Sequence, residues 1–422
     1  MVTSLVEGST SRWREDCGGA LRGLGSGALL ATDFPPARGG ISNYLFNVYR
    51  QFDLQQMTLI APQHPDAERF DSGQGYEVSR FGGAFDVRGL RGAWQIWRMY
   101  REAEKLVKRS GKVVLHCGHV NAAVAAWKLK RRCGTPYLLW TYALEIMDEW
   151  LRGSIVPAML GAEFVITISE FTRAFVASVG LPESRIVKIR PGADPERFRP
   201  GLDCGELARR LGVTGRPTLL TVSRIVKANR YKGHDVVLRA LARVKSEIPD
   251  IAYVIAGEGD DVNYLERVAR ECGVGANVIF AGRASEEELP LLYNACDASI
   301  LCSREDRGRR GILAEGFGMA LVEASACGKP VIAGRSGGVP DAVREGVTGL
   351  LVDPGDSDAV AATIMKVLRE PGLAKKLGAN GREWVEKEMN WTRAADEFAE
   401  TMEKFFPRVV FGGVFSGSKE AV

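Results

Sequence analysis

The stretch EGFGMALVEASACGKPV, residues 315–331, predicts a turn, a helix and a strand around which the rest of the chain can be arranged. Gly316 and Gly318 open the turn, an apolar helix follows from Met319, and Cys327 with its following glycine ends the helix before an apolar strand. Glycine lets the backbone approach a ligand closely, and the first amides of a helix have no partners within the helix. The stretch therefore predicts an anion site at a helix N-terminus.

Two glutamates flank this predicted anion site. Glu315 precedes the turn, and Glu323 lies on the helix further along. Carboxylates are poor ligands for phosphate but good acceptors for sugar hydroxyls. The pattern indicates a sugar nucleotide whose phosphates lie at the turn and whose hydroxyls meet the carboxylates. The alternative is an ordinary strand and helix in which the glycines only form a turn and the glutamates are solvated.

From Ala28 onward the chain alternates short apolar strands with amphipathic helices, which is typical of parallel α/β layering. One series runs from ALLATDF to RIVKIR, a second from TLLTVSR to PVIAG, and the turn-rich segment PGADPERFRP between them indicates a linker. We therefore predict an α/β protein with two Rossmann-like, doubly wound domains that face a cleft. The predicted parts are an extension at residues 1–27, domains at 28–195 and 196–389, a final helix at 390–406 and a tail at 407–422.

Composition and charge restrict the class of protein. The chain has 422 residues, of which 45% are hydrophobic and 26% charged, as expected for a globular protein of this size. A net charge of +4 favours anionic small molecules or an anionic membrane surface and is too small to indicate nucleic acid. Eight cysteines without a C-x-x-C pair favour reduced thiols in a cytosolic protein. Neither a secretory signal nor a membrane span is predicted, because no apolar run is long enough.

Several further residues are candidates for binding phosphate. Arg224 ends a predicted strand and Lys232 precedes a helix, so both cations should lie on the cleft side and could neutralise a departing diphosphate. Gly40 follows the first predicted strand and opens a helix, where bare backbone could also face phosphate. Surface cations and a plain glycine turn are the alternatives. The D-x-D sequence at Asp356 falls at a predicted helix start, where aspartate is a cap, so we predict no metal site.

These motifs together resemble a known family. The early P-x-x-G-G-I, the R-x(7)-K-G-H-D that begins at Arg224, AGEG, and EGFGMALVEASACGKPVIAGRSGGVPDAV are similar to the retaining glycosyltransferases of family four, which have the GT-B fold. The resemblance covers residues 28–406. It implies that the first domain binds the acceptor, that the second holds a GDP- or UDP-sugar without a metal ion, and that the final helix crosses back to the first domain.

The resemblance also implies roles for individual residues of this chain. Glu323 would bind the ribose hydroxyls, and Glu315 would hold the donor sugar together with the backbone that follows it. Arg224 and Lys232 would grip the diphosphate. The residues so assigned to catalysis or donor binding are Gly40, Arg224, Lys232, Arg283 near the nucleobase, Glu315, Gly316, Phe317, Gly318, Met319 and Glu323.

One position departs from the family pattern. Where family members commonly carry a histidine that contacts the donor sugar, this chain has Tyr142, with Glu145 shortly after it. His116 and His119 lie at the preceding strand end and helix start, so His119 is a candidate catalytic substitute. The alternative is that it is a satisfied structural histidine.

Two basic segments have open interpretations. The helix around Ala93 carries cations and aromatic residues and could lie on anionic lipid, which suits a lipid-linked acceptor, or could pack its aromatic face on the sheet. Its residues are Arg88, Arg91, Trp94, Trp97, Arg98, Tyr100, Arg101, Lys105 and Lys108. The segment SREDRGRRGILAEG could be a solvated charge run or a flap over donor or acceptor.

We therefore predict a retaining, metal-independent glycosyltransferase. It would move a hexose of the mannose or glucose type from a nucleotide-diphosphate sugar to an acceptor hydroxyl, in polysaccharide or glycolipid assembly. Its partners would be that donor and a saccharide or lipid-linked acceptor, met in the cytoplasm with a peripheral contact at the inner membrane face. A nucleotide-sugar 2-epimerase of the same fold and a non-catalytic sugar-nucleotide-binding protein are the alternatives.

Overall fold

A computed structural model describes residues 22–37, 39–83, 89–309 and 311–407 of the chain. Residues 1–21 of the predicted extension at 1–27, Arg88 of the predicted basic helix and residues 408–422 of the predicted tail at 407–422 lie outside the described residues. Two parallel sheets with helices on their faces make up the structure. The predicted α/β architecture of two doubly wound layers is confirmed.

The first layer contains a seven-stranded sheet. Its elements are, in chain order, β1 (Gly27–Leu30), α1 (Gly40–Tyr49), β2 (Met57–Pro62), α2 (Ala67–Asp71), β3 (Glu77–Phe81), α3 (Gly89–Ser110), β4 (Val114–Cys117), α4 (Val120–Cys133), β5 (Tyr137–Trp140), α5 (Arg152–Gly161), β6 (Val165–Thr167), α6 (Glu170–Ser178) and β7 (Ile186–Lys188). The strands lie in the order β3-β2-β1-β4-β5-β6-β7, and all neighbouring pairs are parallel.

The second layer contains a six-stranded parallel sheet and a short antiparallel hairpin. Its elements are α7 (Gly205–Leu211), β8 (Thr218–Val222), α8 (His234–Glu247), β9 (Ala252–Ala256), α9 (Val262–Glu271), β10 (Val278–Gly282), α10 (Glu288–Ala295), β11 (Ala298–Leu301), β12 (Asp306–Gly308), β13 (Gly311–Leu313), α11 (Met319–Ala326), β14 (Val331–Gly334), β15 (Gly349–Val352), α12 (Ser357–Arg369), α13 (Pro371–Lys387) and α14 (Trp391–Phe405). The strand order of the sheet is β10-β9-β8-β11-β14-β15.

Three features are absent from the sequence-based prediction. Strands β3 and β15 are edge strands of their sheets and are partly exposed, so neither shows a continuous apolar run. The hairpin β12–β13 lies in the basic segment that the sequence predicts as a loop. In addition β8 ends at Val222, so Arg224 follows the strand rather than ending it.

The last helix, α14, joins the two layers. It begins beside the second layer, where Asn390 and Ala193 form an isolated β-bridge, and it packs on the first layer. The ring of Phe398 lies 5.0 Å from that of Trp140, and Phe405 lies 4.6 Å from Phe164. Burying one such aromatic ring stabilises the fold by about 2–3 kcal/mol. The helix is therefore a substantial part of the first layer's core.

The loops that follow the strands of the two sheets meet each other. Asp341 of the second layer accepts a hydrogen bond from the amide of Glu170 at 3.0 Å and lies 3.0 Å from Lys188 Nζ, and both partners belong to the first layer. The loop after β5 and the segment between β11 and α11 also touch, since a Cβ on Gly316 would lie 2.8 Å from Tyr142 O. These contacts enclose the cleft in which ligands of open α/β sheets bind.

Candidate functional site

The N-terminus of α11 opens into the cleft. Gly318 is the N-cap residue directly before the helix, and its φ of 103° lies in the left-handed region that glycine favours. No side chain caps the helix and no acidic residue lies in its first turn, so its first amides can donate hydrogen bonds to a ligand. The predicted turn and helix of residues 315–331 are confirmed, and the geometry suits an anion.

Lys232 and Glu315 form an ion pair beside this helix. Lys232 Nζ lies 2.5 Å from Glu315 Oε2, and both side chains are largely buried. Burial alone would lower the pKa of Lys232, but the Glu315 carboxylate outweighs burial and holds that pKa above its ordinary value. Lys232 therefore carries a positive charge. The sequence holds it there through Gly233, because a Cβ at that position would lie 1.8 Å from Cys302 O.

Glu323 is half-buried on α11. Tyr293 of α10 donates a hydrogen bond to Glu323 Oε2 at 2.8 Å. Burial raises the pKa of Glu323 to about 7, although the hydrogen bond from Tyr293 acts in the opposite direction. A carboxylate held in this way can accept hydrogen bonds from a hydroxylated ligand and gains most from them when it is ionised.

In the first layer, the N-terminus of α1 lies opposite the N-terminus of α11. A Cβ built on Gly40 would lie 3.1 Å from Met319 Cε, so the N-termini of α1 and α11 face each other. Both predicted phosphate-facing turns are thus on one cleft. Any larger residue at position 40 would push against Met319 and fill the space between the helices.

Asp33 is a candidate that the sequence-based prediction does not include. Its carboxylate follows β1 and lies close to Gly39, at which a Cβ would be 2.9 Å from Asp33 Oδ2. Burial raises the pKa of Asp33, while the charge of Arg224, from the other layer, acts to lower it. The charges of Asp33 and Arg224 therefore interact across the cleft. The available signal was a carboxylate directly after a strand of a parallel sheet.

Tyr142 is the position that departs from the family pattern, and hydrogen bonds to neighbouring residues hold it in place. Tyr142 is buried and donates its hydroxyl hydrogen to Gly118 O at 3.0 Å. Glu145 accepts hydrogen bonds from the amides of Tyr142 and Ala143, and burial raises the pKa of Glu145 despite these bonds. The loop after β5 is therefore rigid, and it presents backbone rather than a free side chain to Gly316.

The histidines are held in structural positions. His119 caps α4, since its Nδ1 accepts from the amide of Asn121, and burial lowers the pKa of His119 to about 4. His116 Nδ1 lies 2.8 Å from the Tyr49 hydroxyl, and burial lowers the pKa of His116 to about 3. His234 Nε2 lies 2.8 Å from Ser223 Oγ. A catalytic role for His119 stays a prediction, and any such role would be played by the neutral ring.

The remaining predicted site residues occupy the rim or the floor. Arg283 follows β10 and pairs with Glu258 at 3.2 Å on an exposed rim. Phe317 is buried beneath the turn. The roles of both stay predictions. Asp356 caps α12 through hydrogen bonds from the amides of Asp358 and Ala359. Over the described ranges, no group of three or more His, Cys, Asp and Glu side chains is arranged to hold a metal.

Two family models match the chain. The model for glycosyl transferases group 1 matches residues 206–384, and the model for glycosyltransferase family 4 matches residues 38–197. The first includes α11, Lys232, Glu315 and Glu323, and the second includes Gly40 and Tyr142.

Relatives of known name extend over most of the chain. A Mycolicibacterium smegmatis protein named GDP-mannose-dependent alpha-(1-6)-phosphatidylinositol monomannoside mannosyltransferase is 31% identical over 89% of this chain and 97% of its own length. A protein of the same name from Mycobacterium tuberculosis is 32% identical over 88% and 96%. A Corynebacterium glutamicum mannosyltransferase named for the monoacylated form of that lipid is 30% identical over 86% and 94%.

Solved structures share the fold. Anabaena HepE in complex with UDP and glucose matches with a TM-score of 0.74 at 20% identity, over 90% of this chain and 99% of its own. Sucrose-phosphate synthase from Thermosynechococcus elongatus matches with a TM-score of 0.71 at 23% identity, over 90% and 98%. At these identities the likeness extends to the GT-B architecture alone.

Proposed function

Since the chain belongs to family four of the retaining glycosyltransferases, we propose that it transfers mannose from GDP-mannose to a phosphatidylinositol mannoside. The predicted family, fold and class of enzyme are confirmed by the comparisons. Of the two donor bases left open by the sequence, the named relatives favour guanine, and of the two acceptor classes they favour a glycolipid. The predicted independence of a metal stays a prediction.

The observation that carries this proposal is the charge arrangement at the start of α11. A nucleotide diphosphate placed between Gly40 and Gly318 would have the helix amides on one side and Lys232 and Arg224 beside it. Glu315, which already holds Lys232, would exchange part of that ion pair for hydroxyls of the donor sugar. Glu323 would accept from the ribose hydroxyls. Positive charge and helix dipole then lie where the leaving group gains negative charge.

The transfer itself would proceed on one face of the sugar. The bond from the sugar's anomeric carbon to the diphosphate oxygen breaks, the acceptor oxygen forms a bond to the same carbon on the same face, and the acceptor's proton passes to the departing diphosphate. The chain's residues would hold the reacting groups together, stabilise charge and exclude water, which would otherwise hydrolyse the donor. Asp33 would accept a hydrogen bond from an acceptor hydroxyl.

A transfer assay tests this proposal. Purified protein is incubated with GDP-mannose or UDP-glucose and with phosphatidylinositol monomannoside, with and without EDTA, and the lipid and nucleotide products are separated. We expect mannosylated lipid and GDP in equal amounts from GDP-mannose only. Transfer from UDP-glucose alone would contradict the proposal that GDP-mannose is the donor. Epimerised donor without acceptor would favour the 2-epimerase, and intact donor at full binding would favour a non-catalytic protein.

A specific surface supports contact with the acceptor's membrane. Helix α3 exposes 50% of Trp94 and 54% of Trp97, and Arg98 and Arg101 lie 4.7 and 5.8 Å from the respective ring centres. Exposed tryptophan beside arginine suits the boundary between lipid headgroups and acyl chains. Across the described ranges, the structure contains no helix of the length and apolarity needed to cross a membrane. We propose that α3 rests on the anionic leaflet.

Vesicle sedimentation tests the surface. Vesicles of phosphatidylcholine containing phosphatidylinositol are sedimented with wild type and with the double variant Trp94→Ala/Trp97→Ala. The control is a variant in which the charges of Arg243 and Lys245 on α8 are reversed. We expect the α3 variant to lose about tenfold in vesicle affinity, because two interfacial aromatic side chains are removed, while the control binds as wild type does. Equal binding of all three proteins would contradict the role of α3.

A further inference from the structure

The hairpin β12–β13 of the second layer contacts the first layer. Between β11 and Glu315, residues 306–308 pair with residues 311–313, and the hairpin meets the loop that follows β5. Arg307 Nη2 lies 3.3 Å from Glu149 Oε1 of that loop. The hairpin therefore connects the strand ends of the second layer with the first layer.

The tightest contact of the hairpin is made by bare backbone. A Cβ built on Gly311 would lie 2.1 Å from Met147 O and 3.2 Å from Met147 C, closer than side chains approach backbone in folded proteins. The φ of Gly311 is 132°, which side-chain-bearing residues rarely adopt. Position 311 thus requires glycine for two independent reasons, one local and one that exists only when the two layers are together.

The hairpin is also tied to the donor side of the cleft. Leu313 ends β13 two residues before Glu315, and Glu315 O accepts from the amide of Gly338 at 2.8 Å. On the other side, Met147 belongs to the loop in which Tyr142 and Glu145 are fixed by hydrogen bonds. A displacement of the hairpin would therefore move Glu315 relative to Tyr142.

We propose that the hairpin is a stop for domain closure, and that Gly311 is a positioning residue that sets how closely the donor sugar on Glu315 approaches the acceptor side. The proposal rests on the proposed function. The ion pair of Arg307 and Glu149 is exposed, by 80% and 50%, and so guides the contact more than it holds it. The backbone contact at Gly311 fixes the distance.

The deciding variant is Gly311→Ala, with Gly346→Ala as its control. Gly346 also has a positive φ, of 70°, but nothing lies within 4 Å of a Cβ there. Calorimetry with GDP measures binding to the second layer, and the transfer assay with GDP-mannose and the lipid acceptor gives kcat, KM and the ratio of hydrolysed to transferred donor. For Gly311→Ala we expect a Kd for GDP within about twofold of wild type, a kcat at least about tenfold lower, as misplacement of reacting groups produces, and a larger hydrolysed fraction.

Three results would overturn the proposal. They are a wild-type kcat in Gly311→Ala, an equal loss in Gly346→Ala, and a loss of GDP affinity that accounts for the whole effect. A wild-type protein that binds no GDP and transfers no mannose would instead contradict the proposed function, so the two failures are distinguishable.

If the melting temperature of Gly311→Ala is well below that of its control, exchanging the charges of Arg307 and Glu149 tests the proposal instead. Arg307→Glu and Glu149→Arg should each lower kcat about two- to threefold, the size of a surface ion pair, and the double variant should recover it. Recovery supports a closure contact at this place. Losses that simply add, or single variants with full activity, overturn it.

Discussion

The two sides of the cleft are built from different materials. The second layer supplies charged side chains in fixed pairs, Lys232 with Glu315 and Glu323 with Tyr293, beside the start of a helix. The first layer supplies mainly glycine and buried backbone, with the Asp33 carboxylate beside Gly39 and with Tyr142 turned toward Gly118. A diphosphate needs charge, whereas an acceptor hydroxyl needs position and the exclusion of water. We infer that the second layer acts on the donor through electrostatics, whereas the first layer acts through shape.

The largest effect should follow from removing charge on the second layer. Lys232→Ala takes away the buried cation and leaves Glu315 without its partner. We expect kcat to fall by about 100-fold or more, because charge on the leaving diphosphate is then not neutralised. The measurement is the transfer assay, with Lys227→Ala, an exposed cation of the same segment, as the control. A loss below about tenfold would mean that other residues stabilise the charge, and it would contradict the contrast between the two sides of the cleft.

The same contrast explains how much of the molecule the sequence predicts. The alternation of apolar strands and helices predicts both sheets, and the spacing of Glu315, Glu323 and the glycines between them predicts the donor side, because these residues are close in the chain. Asp33 is different, since its interaction with Arg224 results from packing one layer against the other, and no pattern local in the sequence predicts it. The hairpin β12–β13 is charged and lacks the alternation of apolar residues that marks a strand.

The next effect concerns the half-buried carboxylate of Glu323. Glu323→Gln keeps the shape and the hydrogen bond from Tyr293 but cannot ionise. At pH 8 we expect the Kd for GDP to rise about tenfold to 100-fold, as for the loss of a hydrogen bond to a charged group. Because the pKa of Glu323 is about 7, wild-type affinity should fall as the pH drops from 8 to 6, and the variant should lose that dependence. Calorimetry across this range is the measurement.

The same substitution, Glu323→Gln, should raise the stability of the fold at high pH although it weakens GDP binding there. The pKa of Glu323 is raised from 4.5 to about 7 in the folded protein. Folding therefore binds a proton, and the stability from this group, full below pH 4.5, is lost as the pH rises through about 7. At pH 8 we expect Glu323→Gln to be more stable than wild type by on the order of 2 kcal/mol. Thermal melts at pH 5 and pH 8, with the half-exposed Glu266→Gln as control, measure this. Equal destabilisation at both pH values would contradict it.

A smaller effect is expected on the first layer at Asp33. Asp33→Asn keeps the size of the side chain and removes its charge and one acceptor for the substrate hydroxyl. We expect kcat to fall about tenfold, the size of one hydrogen bond to a charged group, with the Kd for GDP within about twofold of wild type. The exposed Asp66→Asn is the control. A large loss of GDP affinity would mean that Asp33 acts on Arg224 and the donor rather than on the acceptor.

The smallest effect should come from Tyr142→Phe, at the position where other family members carry a histidine. The Tyr142 hydroxyl is already bound to Gly118 O at 3.0 Å, and the ring packs 6.1 Å from that of Tyr44. Removing only the hydroxyl should cost about 1 kcal/mol of stability and leave kcat within about threefold of wild type. Tyr142→Ala removes the ring as well. It should lower kcat by about tenfold, because the backbone that contacts Gly316 loses the support of the ring's packing on Tyr44.

These two variants decide what the first layer contributes. Kinetics and melting temperatures of Tyr142→Phe and Tyr142→Ala separate the hydroxyl from the shape of the ring. If the phenylalanine variant is as slow as Asp33→Asn while melting close to wild type, the hydroxyl must leave Gly118 and reach the donor sugar during turnover. The tyrosine would then do the work of the missing histidine, and side-chain chemistry would operate on both sides of the cleft. If only the alanine variant is slow, the first layer acts through shape, and the closure distance set at Gly311 becomes its main control over the reaction.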